Sequence, residues 1–209
     1  MKNLIIIGAG SVGKFIAYNI DSFQDSFSVV GFVDDDITKH GVNIAGYPVL
    51  GSIDLLKEYS KKEYAVVVGI AFPKVKRKIV DRIKDLDFEY PSFISNNAWL
   101  SKEVTVGMGS ILYPGVSINY ETTIGDFVVM NMNCAVGHNC TIHSYTSLAP
   151  GGNLAGCTIL HEAVDFGIGA ATKQSTLVFE GAIIGGQAMI TQNVSANTVV
   201  VGVPGKIKT

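Results

Sequence analysis

From Leu100 onward, one position in every six is hydrophobic. Stepping by six, the column reads Leu100, Val106, Leu112, Ile118, Ile124, Met130, Val136, Ile142, Leu148, Leu154, Leu160, Phe166, Thr172, Val178, Ile184 and Ile190. Thr172 is its one polar member. The column two residues earlier is small or branched, and includes Ser110, Thr122, Cys134, Cys140 and Thr146. A period of six is neither the 3.6 of a helix nor the two of a strand. It predicts a parallel β-helix of hexapeptides, three faces to a coil, with about six coils of about 18 residues. The apolar column is expected inside the prism and the small column at its corners. Gly107, Gly125, Gly137, Gly167 and Gly185, each next to the apolar column, are expected to serve turns with unusual backbone angles.

The first ninety residues follow another pattern. Leu4 to Ile7 is a buried-strand run, followed by the GxGxxG turn Gly8–Gly13 and a helical stretch. Strand, glycine turn and helix start together form a place where a phosphate meets free backbone N–H groups. SVVGFV (28–33) and AVVVGI (65–70) predict two more strands. A short helix is expected from Ser52, its cap, to Tyr59, and an amphipathic helix from Pro73 to Leu86. The apolar side of that second helix is expected at Val75, Ile79, Val80 and Ile83, with a solvated basic face opposite. Acidic residues at the end of a second strand, here Asp34 and Asp35, commonly bond a ribose or a base edge. The reading is a small Rossmann-like α/β domain (1–92) followed by a β-helix domain (93–209). The glycine turn fits a nucleotide-sugar or other phosphate-bearing ligand. A nicotinamide, or merely a tight turn, stays open.

Composition narrows the function classes. The chain of 209 residues is 47% apolar and 16% charged, with a net charge of −2. That balance gives no electrostatic footprint for nucleic acid or an anionic membrane. No run approaches the roughly 20 apolar residues of a membrane span. Three cysteines without a CxxC argue for a reduced compartment, the cytoplasm. Cys134 and Cys140 fall in the small column and read as core.

The candidate chemistry centres on His138. It follows Gly137 at a turn, where a side chain can point outward, and a neutral imidazole suits a general base. His143 lies five residues on, and His161 one coil beyond that, so these two should share an edge. The spacing of His138 and His143 resembles two zinc ligands of the γ-class carbonic anhydrases. The matching third position is Lys102, and no metal is expected.

The chain resembles the bacterial sugar O- and N-acyltransferases related to sialic-acid O-acetyltransferase and to UDP-4-amino-sugar N-acetyltransferases. The likeness covers essentially the full length. It rests on the Gly8–Gly13 turn, GFVDD (31–35), PVLGS (48–52), Asn131 with His138 seven residues later, LAPGGNLAG (148–156) and VVVGVPGK (199–206). The resemblance implies a left-handed β-helix, a homotrimer with active sites between subunits, and acetyl-CoA as acyl donor. It implies His138 as catalytic base, with Asn139 beside it. Ser147, Gly156, Ile168, Gly186 and Lys206 match positions around the coenzyme. It places Gly8, Gly10 and Ser11 near the phosphates of a nucleotide-sugar, Asp34 or Asp35 near its base or ribose, and Asn131 near the sugar.

The sequence also departs from the family. Several relatives carry an acid where this chain has Asn139. Some carry a second histidine where it has Ser147, and a glycine where it has His143. The expected reaction is acetyl transfer to the 4-amino group of a nucleotide-linked sugar by direct attack on the thioester. Sialic-acid-type O-acetylation, a non-catalytic trimeric scaffold and zinc hydration chemistry are the alternatives.

Overall fold

The computed structural model describes residues 2–23 and 27–208. Its first part is a five-stranded sheet. The strands are β1 (Lys2–Ile7), β2 (Phe27–Val33), β3 (Asn43–Ile44), β4 (Tyr47–Gly51) and β5 (Tyr64–Val68). Their order is β3-β4-β2-β1-β5, parallel except for β3, which pairs antiparallel with β4. The β3–β4 hairpin has no counterpart in the sequence reading, because a two-residue strand is too short to show alternation.

Side chains of a strand alternate between faces, and here the two faces feed two cores. Leu4, Ile6, Ala65 and Val67 pack with Val12 and Ile16 of α1 (Ser11–Tyr18), in a core continuous with the second half of the chain. Ile5, Ile7, Val66 and Val68 pack under Val80 and Ile83 of α2 (Pro73–Ile83). Gly13 and Gly69 allow backbone contact where α1 meets β5. A Cβ on Gly13 would lie 1.9 Å from the Gly8 oxygen, and one on Gly69 would lie 2.7 Å from the Gly13 Cα.

The second part is the left-handed β-helix, with three parallel sheets. Face one runs from Trp99–Leu100 to Met189–Ile190, and face two from Thr105–Val106 to Leu177–Val178. Face three runs from Phe93–Ile94 to Val199–Val201 and ends with Lys206–Ile207 added antiparallel. Each strand pairs with the one a full coil on, as in Ser117↔Ala135 and Ile118↔Val136.

From Leu112 on, the apolar column is buried, and Thr172 is satisfied within it. Its hydroxyl accepts the Ala155 N–H at 3.1 Å and bonds the Thr158 hydroxyl at 3.0 Å.

The small column stands at the turns between strands, as expected, and its polar members close those turns from inside. Ser110, Thr122 and Thr146 donate to the carbonyls of Gly125, Gly137 and His161 at 2.9, 3.1 and 3.0 Å. Cys134 and Cys140 point their thiols at the Ala149 and Ala155 oxygens, 3.3 and 3.4 Å away, and so fill hydroxyl positions. One expectation needs correction: the recurrent glycines are not the left-handed residues. That conformation falls on another column, which includes Glu103, Glu121, Phe127, Asn133, Asn139 and Tyr145. Gly107, Gly125, Gly137 and Gly167 are needed because successive coils touch there: a Cβ on Gly137 would lie 2.5 Å from the Gly156 nitrogen.

The first domain covers face three. Phe15 stacks on Tyr113 at 3.8 Å, and Tyr90 packs edge-on to Phe127 at 5.1 Å. Because α2 lies between its own sheet and this face, it buries more than one side. Lys76 is inside and Val75 is exposed, the reverse of the expected pattern. Arg77 pairs with Glu180 at 2.9 Å, and Arg82 with Asp35 and Asp54, both at 2.6 Å.

Lys76 Nζ donates to the Ser147 hydroxyl at 2.9 Å, and no carboxylate among the described residues pairs with it. Burial pulls its amine down to about 7, with Asp165 opposing. A lysine depressed in the fold binds fewer protons than the unfolded chain between that value and 10.5. Its unfavourable contribution is therefore complete below about pH 7 and is relieved as pH rises toward 10.5. Lys76→Met is expected to raise stability below pH 7 by about 1–2 kcal/mol. It should also flatten the rise in stability between pH 7 and 10, which denaturant titrations at each pH would measure. An unchanged slope would mean that the amine is solvated.

Candidate functional site

His138 sits at the corner between the first-face strand Ala135–Val136 and the second-face strand Thr141–Ile142. That edge is opposite face three, where the first domain packs. Residues 18 apart share an edge, so Tyr120, His138 and Gly156 form one ladder. The Tyr120 ring stacks on the imidazole at 5.3 Å with planes 13° apart. On the other side, a Cβ on Gly156 would lie 2.7 Å from His138 Nε2. Nδ1 bonds the Asn139 side-chain oxygen at 2.8 Å, and Asn139 Nδ2 donates to the Glu121 carboxylate at 2.5 Å. The ring is thus held between Tyr120 on one face and Gly156 on the other, with Asn139 fixing it at Nδ1. Sequence reasoning missed Tyr120 and Glu121. Subtracting one coil from His138 and Asn139 would have found both.

His143 and His161 stack at 5.2 Å with planes 4° apart, and Phe179 continues the ladder at 4.8 Å. No group of three His, Cys, Asp or Glu side chains is placed to hold a metal among the described residues.

A second site lies in the first domain. Gly8, Gly10, Ser11, Asp34, Lys39, Gly69, Ala71, Phe72 and Val75 line a cleft of about 280 Å³. The α1 N-terminus opens into it with no side-chain cap, so its first N–H groups and dipole are available to an anion. Asp34 accepts the Ala9 and Asp36 N–H groups at 2.8 and 2.9 Å and the Lys39 ammonium at 3.0 Å. Burial pushes its carboxyl up, but these bonds outweigh that and hold it below the usual range. Phe72, 69% exposed, stands at the rim as a flat apolar surface.

The other expected site residues are spread out. Asp35 lies outside the cleft: it accepts the Ile53 N–H at 3.1 Å and pairs with Arg82. It thereby caps the short helical turn Ile53–Glu58, whose predicted cap Ser52 makes no side-chain bond. Asn131 accepts the next residue's N–H at 2.8 Å. Ser147, 5% exposed, is held under the first domain, where it donates to the Ala71 carbonyl and accepts from Lys76. Gly156 is against His138. Ile168 and Gly186 stack on the edge between faces three and one, and both are exposed. Lys206 is exposed on the last strand.

A hexapeptide β-helix behind a nucleotide-type α/β domain, with an exposed-edge histidine, defines a class: the sugar acyltransferases. The family described as the PglD N-terminal domain matches residues 3–83. The GDP-perosamine N-acetyltransferase of Escherichia coli O157:H7 is 31% identical over 173 residues, 81% of this chain and 77% of that protein. The acetyltransferase domain of PglB from Neisseria gonorrhoeae superposes with a TM-score of 0.90 at 29% identity, covering both chains entirely. That domain has also been solved with acetyl coenzyme A. PerB from Caulobacter crescentus, in complex with CoA and GDP-perosamine, superposes with a TM-score of 0.91 at 25% identity over 100% of this chain and 98% of that one.

The chain belongs to the family of the GDP-perosamine N-acetyltransferase. It is an acyltransferase that uses acetyl-CoA and acts on a sugar. No helix among the described residues is long and apolar enough to cross a membrane.

Proposed function

We propose that the enzyme acetylates the 4-amino group of a nucleotide-linked sugar, with His138 as general base. The observation that carries this is the imidazole held between Tyr120 and Gly156 and bonded to Asn139 at Nδ1, which leaves Nε2 as the nitrogen open to a substrate. The attacking nitrogen forms a bond to the thioester carbonyl carbon while Nε2 takes its proton. The tetrahedral intermediate then collapses, the C–S bond breaks, and the imidazolium returns the proton to the leaving thiolate. The Gly156 N–H is the donor proposed for the oxyanion. Binding both substrates side by side supplies the remaining acceleration.

The nucleotide-sugar belongs in the cleft of the first domain, its diphosphate on the N-terminus of α1 and its base against Phe72. The names of the relatives favour an amine acceptor over a hydroxyl, and guanosine as the base to test first.

The enzyme works as a homotrimer in this proposal. The sugar cleft is on the side of face three, and His138 is on the edge opposite, so one protomer cannot join its own two sites. Turning face one toward a threefold axis sets the Ile168–Gly186 edge of one prism against the His138–Gly156 edge of the next. It also brings a neighbour's first domain to His138. Face one suits such packing, with the short side chains of Ser117, Ala135, Asn153 and Ala171. Acetyl-CoA would lie in the groove so formed, along Gly156, Ile168 and Gly186, with Lys206 closing it. Three free thiols fit the reduced cytoplasm.

A thiol-release assay with acetyl-CoA and GDP-, UDP- and dTDP-linked 4-amino-sugars tests the reading, with sialic acid as the hydroxyl control. CoA release with one amino-sugar is the expected result. Release with sialic acid alone would overturn it.

A further inference from the structure

We infer that Glu121 is a positioning residue, and that it sets the tautomer of His138 through Asn139. The inference rests on His138 being the base.

An asparagine beside a histidine is ambiguous. Its oxygen accepts a proton from the ring, but its NH₂, if flipped, donates to the ring nitrogen instead. The first arrangement leaves Nε2 as the proton acceptor. The second protonates Nε2 and disables the base. Glu121 removes the ambiguity. A carboxylate can only accept, so Asn139 must turn Nδ2 toward it, 2.5 Å away, and Oδ1 toward His138 Nδ1, 2.8 Å away. Nδ1 then carries the proton.

The backbone prepares this geometry. Glu121 and Asn139 are one coil apart and both left-handed, with φ of 53° and 54°, so their side chains leave successive corners in parallel. The Asn139 N–H bonds the Tyr120 oxygen at 3.0 Å, which fixes the upper corner on the lower. The relay thus provides, in two residues, the orienting function that a single acid at position 139 would supply. The two solutions exclude each other. With Asp at 139, two carboxylates would meet at Glu121 and would have to share a proton.

The test uses the full-length protein, labelled with ¹⁵N-histidine, and long-range ¹H–¹⁵N spectra at about pH 8.5, where imidazoles are neutral. The wild type should show His138 with its proton on Nδ1. Glu121→Met, which keeps the length and removes the acceptor, should show mixed tautomers. Its kcat should fall about tenfold, with both KM values unchanged. Glu121→Gln, which can still present an oxygen, should restore most of both. Asn139→Asp alone should lower kcat, and Asn139→Asp with Glu121→Gln should recover it. An unchanged tautomer in Glu121→Met overturns the relay, whatever the rates. A shifted tautomer with unchanged kcat upholds the relay and overturns His138 as the base.

Discussion

Turnover of the His138→Ala variant is expected to fall by about 10²–10⁴-fold, with acetyl-CoA binding retained. The thioester is already an activated acyl donor, so the enzyme has two remaining tasks. One is to hold the amine against the carbonyl, and the other is to take its proton as the C–N bond forms. In the proposed reaction His138 performs the second, whereas the first depends on groups that the substitution leaves in place. The ring is half-buried between Tyr120 and Gly156, on a corner fixed by the Thr122 bond to the Gly137 carbonyl. Removing it should therefore disturb the coil little, and melting should occur within a few degrees of the wild type. Residual activity should rise with pH more steeply than in the wild type, because hydroxide replaces the missing base. The measurement is CoA release at saturating substrates. A kcat within threefold of wild type would sink the assignment and leave His138 as an edge residue.

How much of this was readable in the sequence depends on which residues the physics constrains. The interior of a coil takes apolar side chains except where a hydroxyl meets a backbone group, so the column through Ile118, Val136 and Leu154 prints the period directly. The left-handed column does not, because it holds Glu121, Phe127, Asn139 and Cys157 as readily as glycine. Its constraint is on the backbone and leaves almost no mark on residue type. Glycine marks the contacts between coils instead, which explains why Gly125 and Gly137 look like turn residues and are spacing residues.

The same distinction explains the first domain. Strands buried on both faces give continuous apolar runs, so β1, β2 and β5 were legible. The position of Lys76 was not, because nothing local says that a second domain will cover it. Asp34 and Asp35 are neighbours of the same type, yet one faces the cleft and the other caps a turn. Alternation along an extended chain separates them, but only the fold decides which is which. The site at His138 was half legible. The histidine stood out as a candidate, while its contacts with Tyr120 and Glu121 required recognising that residues one coil apart are neighbours.

That neighbour rule makes Gly156 the most demanding position beside the base. Gly156→Ala is expected to lower kcat by about 10²-fold without unfolding the coil. The added Cβ would lie 2.7 Å from Nε2, 2.9 Å from Cε1 and 3.1 Å from Cδ2 of His138, and so would press on the face of the ring at Nε2. The imidazole can move away only by breaking its Asn139 bond or by pushing into Tyr120. Either motion turns Nε2 off the line to the acceptor. Gly156 is not among the left-handed residues, so alanine fits its backbone and the melting temperature should hold. Glu121 and Asn139 cannot compensate, because their bond fixes the Nδ1 side of the ring. Loss should therefore fall on kcat, with a smaller rise in the KM for acetyl-CoA. If Gly156→Ala turns over as fast as the wild type, the methyl has been accommodated, and the proposed base does not depend on the gap above it.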